Sequence, residues 1–263
     1  MKLEGVWDIL RYFGNPLVVI ALRLGFLRVP LFLYRLAPTT GCYSMLARPT
    51  SNTMADLFVL REVFVTETYR DILPLLPKGP VRCVDVGGNI GSFSVWLKTR
   101  QGIKEGFCFE PDPTSYNLCR YNLTNNGCGM VQLIPKAVGG QARQITMRVN
   151  TNRPGGNNIY VAAKEGEEVA TVEVLPFADW MRTQPGEFDL LKLDCEGAEW
   201  EILDRTPPEV FQRFRVIVAE IHTDPDGKHA HQDFADQLAR LGFKTVRWDG
   251  KEHGLYVGHR VSG

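Results

Sequence analysis

Val84-Asp-Val-Gly-Gly-Asn-Ile-Gly-Ser-Phe-Ser94 decides how the rest of this chain is read. An apolar run beginning at Val81 ends at Asp85-Val86, Gly87, Gly88 and Asn89 form a loop, and a helix opens near Gly91. Glycines let backbone approach a ligand closely, and the helix start beyond them offers N–H groups without intrahelical partners. The loop is not a dinucleotide fingerprint, because Asn89 stands where G-x-G-x-x-G needs its second glycine. It is not a P-loop either, since no Gly-Lys-Ser/Thr closes it. The pattern is Asp-x-Gly-x-x-x-Gly, with Asp85 inside the strand. A carboxylate there repels a pyrophosphate and suits a cationic amino-acid group. Glu110 ends the next strand, nineteen residues after Gly91, and a carboxylate so placed can accept both hydroxyls of a ribose. Together these features point to an adenosine ligand with a positively charged tail, a description that S-adenosylmethionine meets.

Outward from this loop, short apolar runs alternate with helical segments. Val81–Val86, Gly106–Phe109, Val131–Ile134, Phe188–Leu193 and Val216–Ile221 read as buried strands, with helices over Ser92–Thr99, Pro113–Asn125 and Asp233–Leu241. Such alternation predicts an α/β fold with a parallel, doubly wound sheet. Gln144–Val149 and Glu168–Leu175 read as a strand pair flanking the glycine- and asparagine-rich residues 153–158. Phe243–Trp248 and Gly254–His259 flank Asp249-Gly250, a hairpin turn. Ala137 and Val138, just after the third strand, are candidates for the adenine edge of the ligand.

The chain has 263 residues with 30 Lys+Arg against 30 Asp+Glu, so its length allows one to two domains and its neutrality excludes a broad footprint for duplex DNA. The six cysteines include no C-x-x-C pair and match no zinc spacing, which favours a reducing, cytoplasmic setting. The first 36 residues are apolar, but Arg23, Arg28 and Pro30 interrupt them too early for a spanning helix. Asn15-Pro16 and Pro30 read as starts of two short helices packed on the core, and residues 37–52 as a connector. Peripheral contact at an inner membrane surface is the competing reading, because this segment has five Lys/Arg and two Asp/Glu.

Residues from about 80 to 248 resemble the FkbM-type S-adenosylmethionine-dependent methyltransferases. The resemblance rests on VDVGGNIGSFS (84–94), FEPDP (109–113), LKLDCEGAEWEIL (191–203) and EIH (220–222), of which the Asp-x-Glu-Gly-Ala-Glu block is the most specific. It implies a Rossmann-like class I methyltransferase fold, a seven-stranded mostly parallel sheet whose last strand is antiparallel. Residues 1–80 then form a helical N-terminal extension and 81–263 the S-adenosylmethionine-binding domain. The implied reaction is O-methylation of a hydroxyl on a sugar or secondary metabolite. Asp85, Gly87, Gly88, Asn89, Gly91, Glu110, Ala137, Val138 and Asp194 are the expected cofactor-binding residues.

Methyl transfer from a sulfonium needs the acceptor oxygen positioned and relieved of its proton. In an open α/β sheet the groups that do this project from carboxyl ends of strands, where Asp194-Cys-Glu196 and Glu220-Ile-His222 stand. Asp194, Glu196 and His222 are therefore the catalytic candidates, His222 as base and the acids as orienters or holders of the acceptor. Carboxylates beside an imidazole also suit a divalent ion, although the spacing demands none. The histidines downstream, through His231, read as part of a polar loop. The expected partner is a small-molecule or saccharide acceptor and not nucleic acid. The residue-side wall of the acceptor site is expected from the segment before Val81 and from Asn157-Asn158. Two rival readings are a nicotinamide-dependent reductase, which Asn89 opposes, and a non-catalytic protein that merely binds S-adenosylmethionine.

Overall fold

The computed structural model describes residues 4–36, 42–49, 55–148 and 169–261. Helices α1 (Glu4–Tyr12) and α2 (Pro16–Arg23) precede strands β1 (Phe32–Leu36) and β2 (Tyr43–Ala47) and helix α3 (Ala55–Phe64). Then β3 (Val81–Val86), α4 (Ser92–Arg100), β4 (Ile103–Phe109), α5 (Pro113–Asn125) and β5 (Val131–Ile134) alternate. β6 (Ala137–Gly139), β7 (Arg143–Arg148) and β8 (Val169–Pro176) make a small side sheet. α6 (Phe177–Thr183), β9 (Phe188–Leu193), α7 (Ala198–Arg205) and α8 (Pro208–Phe211) follow. The described chain closes with β10 (Phe214–Ile221), α9 (His231–Arg240), β11 (Phe243–Trp248) and β12 (Gly254–Arg260).

The main sheet has seven strands in the order β11-β12-β10-β9-β3-β4-β5, and β12 alone runs antiparallel to its neighbours. The chain leaves β3 toward β4 and β5 and leaves β9 toward β10, so the direction of winding reverses between β3 and β9. Ligands of open α/β sheets bind at the carboxyl ends of strands flanking such a reversal. Val86 pairs with Leu193 there, which places Gly87 and Asp194 side by side at the rim.

Side-chain alternation divides the core between the two faces of the sheet. Val84, Val86, Leu191, Leu193, Ile217 and Ala219 pack with the helices α6, α7 and α9. Cys83, Leu190, Val216 and Val218 face the other way, against α4, α5 and the N-terminal segment. That second cluster runs unbroken from Ile9, Phe13 and Val19 to Leu255 and Val257, so the N-terminal segment shares the core of the sheet. Buried Asn122 on α5 pins it further, accepting from the Leu46 N–H at 2.7 Å and donating to the carbonyls of Leu46 (2.9 Å) and Ile90 (2.8 Å). A buried Arg48–Asp56 ion pair at 2.9 Å locks the entry to α3.

The segment before Val81 is less helical than its sequence suggests. Pro30 starts no helix: it leads into β1, which pairs antiparallel with β2 inside the stretch read as a connector. The cause is period-two burial, with Tyr34 and Leu36 inside and Arg35 outside, which a helix cannot provide. Pro16 does occupy the first turn of α2, but the side chain of Asn15 makes no capping bond. The packing of α1 and α2 is one-sided, since Trp7, Leu17 and Phe26 remain 70%, 77% and 83% exposed. Among the described residues no helix is long and apolar enough to cross a membrane. All six cysteines are free thiols. The loop holding Asn157-Asn158 lies outside the described residues.

Candidate active site

A cleft opens at the carboxyl ends of β3 and β9, lined by Gly87, Asn89, Glu110, Asp194 and Glu196. Its floor is backbone. Gly87 has φ +82°, and a Cβ on it would fall 1.7 Å from the Asp194 carbonyl oxygen, so only glycine lets β3 and β9 approach this closely. The N–H groups of Gly87 and Gly88 both donate to the Phe109 carbonyl, at 3.0 and 2.8 Å, folding the loop back onto β4.

Glu110, at the end of β4, is buried, and each of its oxygens accepts one backbone N–H: Asn89 at 2.6 Å and Asp112 at 2.8 Å. Burial lifts its carboxyl to about 8 against the pull of those donors. A carboxylate offers about four acceptor sites, so two remain for a ligand. Asn89 itself holds φ +46°, uncommon for a residue other than glycine, and its buried Oδ1 has no partner among the described residues. Ala137 and Val138 of β6, with Phe109, provide an apolar wall.

Three of the expected cofactor residues do not line this cleft. Asp85 lies beneath the loop, 1% exposed, accepting from Ser94 Oγ at 2.7 Å and paired with Lys192 Nζ at 3.3 Å. Strand parity explains this: Asp85 points to the same face as Cys83, toward α4, and its register partner on β9 is Lys192. Gly88 is a packing glycine whose added Cβ would meet Cys108 Sγ at 2.3 Å. Gly91 takes φ +83° as the N-cap of α4, against Cys119.

Lys192, which sequence reasoning did not single out, is the centre of this arrangement. It is 3% exposed, lies 3.2 Å from Asp194, and donates to the Gly87 carbonyl at 2.6 Å. Burial opposes its charge, but Asp194 and Asp85 outweigh that and hold its pKa well above the ordinary lysine value. One cation thus ties β3, the glycine loop and the start of the acidic cluster together. A lysine within the apolar run Phe-Asp-Leu-Leu-Lys-Leu was the available signal.

Asp194 and Glu196 also line the cleft, and His222 Nε2 lies 3.7 Å from the Glu196 carboxylate. Glu196 adopts φ +57° and its carboxylate is one-quarter exposed. Burial lifts Glu196 to about 7, with His222 opposing and Asp194 adding to the rise. His222 departs from the role of free base. Its Nδ1 faces Glu199 Oε1 at 3.1 Å, and fully buried Glu199 also accepts the N–H of Gly197 at 2.8 Å. Burial disfavours a charged ring, yet Glu199, Asp194 and Glu196 together raise His222 to about 10, too high for a base that must be vacant at neutral pH. Glu199 therefore does more than start a helix.

Glu220 and His253 complete the cluster. The latter comes from the β11–β12 turn, and nothing in its sequence spacing marked it. The downstream histidines stay apart: His229 bonds Asp204 at 2.9 Å and stacks on Trp200. From the N-terminal segment, Glu62 on α3 and buried Tyr69 come near this acidic end; burial, then the charge of Asp194, raises the Glu62 carboxyl.

Residues 85–245 match the model of the FkbM methyltransferase domain. The chain is 30% identical over 193 residues to methyltransferase sdnD of Sordaria araneosa, covering 62% of this chain and 73% of that protein. It is 25% identical over 202 residues to methyltransferase 1 of Beauveria bassiana (strain ARSEF 2860), covering 69% and 79% respectively. In fold it is similar to the solved methyltransferase FkbM from Methylobacillus flagellatus KT, with a TM-score of 0.50 at 15% identity over 72% of this chain. The match spans 47% of that solved chain, about half its length. Because the family match takes in the glycine loop, Glu110 and both acidic strand ends in one continuous stretch, this chain belongs to the FkbM methyltransferase family.

Proposed function

We propose that this protein is an S-adenosylmethionine-dependent O-methyltransferase acting on a hydroxyl of a sugar or secondary metabolite. The observation that carries the reading is that one cleft is lined both by the buried carboxylate Glu110 and by the acids Asp194 and Glu196. The fit to the cofactor is supported by three features: spare acceptor sites on Glu110, the unpartnered Asn89 Oδ1, and a Gly87 backbone with no room for a side chain. When bound, S-adenosylmethionine supplies a methyl group on a sulfonium whose electron pair returns to sulfur as the S–C bond breaks.

The protein's own share is positioning and proton removal. Asp194 is held by Lys192 as a fixed negative charge beside the reacting end. Glu196 has no such commitment, with His222 Nε2 3.7 Å away, so it accepts the proton that the acceptor oxygen loses as its bond to carbon forms. The charge of His222, whose ring is fixed by Glu199, draws the Glu196 carboxyl down against the effect of its burial. Glu62 and Tyr69 support an acceptor wall formed by the segment before Val81. Incubating the protein with methyl-labelled cofactor and saccharides, lipid-linked sugars or polyketides tests this. Label on a hydroxyl oxygen is expected; label only on nitrogen or carbon overturns the O-methyl assignment.

Cofactor affinity should depend on pH through Glu110. A ribose diol donates to the ionised carboxylate, and the free protein holds a proton there below about 8. Affinity therefore falls about tenfold per pH unit below that value and is level above it. Calorimetry across pH 6–9 reads this, and Glu110→Gln should flatten the profile.

A second reading concerns where the acceptor is met. Exposed Trp7, Leu17 and Phe26, in a segment with exposed Arg11 and Arg28, support contact with an anionic lipid surface. The full chain is expected to float with phosphatidylglycerol vesicles, and a Trp7→Ser/Leu17→Ser/Phe26→Ser variant to remain behind. Self-association without flotation would instead assign this face to a second copy.

A further inference from the structure

Beyond the cofactor cleft, the acidic end carries a donor set that methyl transfer alone does not require. Glu220 and His222 stand at the end of β10, and His253 reaches them from the turn before β12. One ligand atom from each lies within 4.8 Å of the other two. Glu220 Oε1 is 3.4 Å from His253 Nδ1 and 3.9 Å from His222 Nε2. These separations are too long for good hydrogen bonds, whose donor–acceptor distances end at about 3.2 Å. They are right for atoms that share a cation. Two donors each about 2.1 Å from one ion lie about 3.0 Å apart at a right angle, about 3.4 Å at the tetrahedral angle and about 4.2 Å when opposed.

The surroundings point the same way. His222 has its Nδ1 occupied by Glu199 and so presents Nε2 to the space between the three residues. An imidazole held through its second nitrogen by a buried carboxylate is the usual outer support of a metal-binding histidine. His253 is fixed from behind, its N–H donating to the Ile221 carbonyl at 2.8 Å with φ +53°, and its ring meets that of His222 at 86° with centroids 5.0 Å apart. Glu220, with side-chain exposure of 24%, and His253, at 61%, leave the position reachable from solvent. Four carboxylates (Asp194, Glu196, Glu199 and Glu220) gather at this end with Lys192 and His222, and a dication in place of the His222 ring proton adds one positive charge among them.

We infer that Glu220, His222 and His253 form a divalent-metal site. Two imidazoles and one carboxylate favour a first-row transition ion such as Mn²⁺, Co²⁺ or Zn²⁺ over Mg²⁺, and they leave open positions for water and an acceptor oxygen. An ion at Nε2 takes the place of a ring proton on His222. What the ion does there, holding the acceptor hydroxyl beside Glu196 and easing release of its proton, rests on the O-methyltransferase reading. That the ion binds does not.

The test is direct titration of chelator-stripped full-length protein, without cofactor, with Co²⁺ followed by visible absorption and Mn²⁺ followed by electron paramagnetic resonance. One ion per chain is expected. His253→Gly removes a ligand while tolerating the left-handed backbone, and Glu220→Gln removes another; each should weaken binding more than about tenfold. Glu199→Gln should cost about 10–100-fold through the lost support of His222. Melting curves and cofactor calorimetry on the same variants confirm that the fold and the nucleotide cleft persist. Absence of binding up to millimolar metal, or binding that His253→Gly and Glu220→Gln leave unchanged, overturns the site. S-adenosylmethionine binding without metal binding sinks this inference and spares the O-methyltransferase reading; metal binding without S-adenosylmethionine binding does the reverse.

Discussion

Replacing Lys192 by methionine should destabilise the protein by about 3–5 kcal/mol, the usual cost of removing one partner from a buried ion pair. The methionine fills a similar space, so the loss comes from charge and not from a cavity. Asp85, 1% exposed, would be left with the Ser94 hydroxyl and the Cys108 thiol, and Asp194 would lose the cation 3.2 Å away. The Gly87 carbonyl would lose its 2.6 Å donor as well, loosening the loop that forms the cleft floor. Urea denaturation at neutral pH measures the effect. Adding Asp85→Asn should recover part of the loss, because it removes the carboxylate stranded by the first change. A loss under about 1 kcal/mol would mean that the two acids are solvated and that Lys192 does not hold the strand ends together.

Glu196→Gln carries the largest expected effect on turnover. Positioned acid–base groups contribute about 10²–10⁴-fold to rate, and glutamine keeps the shape while losing the proton-accepting capacity. The kcat for methyl transfer should fall within that range, with S-adenosylmethionine affinity within about threefold of the unmodified protein. Asp194→Asn should behave differently, lowering stability together with rate, since Asp194 is bound to Lys192. The contrast matters more than either number. Equal losses in both variants would assign the two acids a common structural role, and an unchanged kcat in Glu196→Gln would move the proton to another group.

Much of the fold is legible because local signals and tertiary packing agree. Asp112 and Pro113 start α5, with Asp112 accepting the Ser115 N–H at 2.7 Å, and Asp249-Gly250 marks the turn that returns β12 between β10 and β11. Gly87, Asn89, Glu110, Ala137, Val138, Asp194 and Glu196 all line the cleft that the glycine loop announces. The failures have identifiable causes. Its place two residues before Gly87 suggests a ligand contact for Asp85, but the parity of β3 turns it toward Lys192. Pro30 suits the first turn of a helix, whereas pairing of Phe32–Leu36 with Tyr43–Ala47 depends on residues that follow later in the chain. His222 has the ordinary pKa of a base only when its neighbours are ignored; Glu199, the second residue of α7, changes that. His253 reaches the cluster through the β11–β12 connection, a relation that no spacing within one motif encodes.

The account depends most on the cleft between β3 and β9 being an S-adenosylmethionine site read by Glu110. Calorimetric titration of the full chain at pH 8.5 with S-adenosylmethionine, NADH and NADPH tests this. One equivalent of S-adenosylmethionine should bind, neither nicotinamide should compete, and Glu110→Ala should weaken binding about 100-fold through two lost hydrogen bonds to a charged group. Nicotinamide binding without S-adenosylmethionine binding, or S-adenosylmethionine affinity untouched by Glu110→Ala, would contradict it.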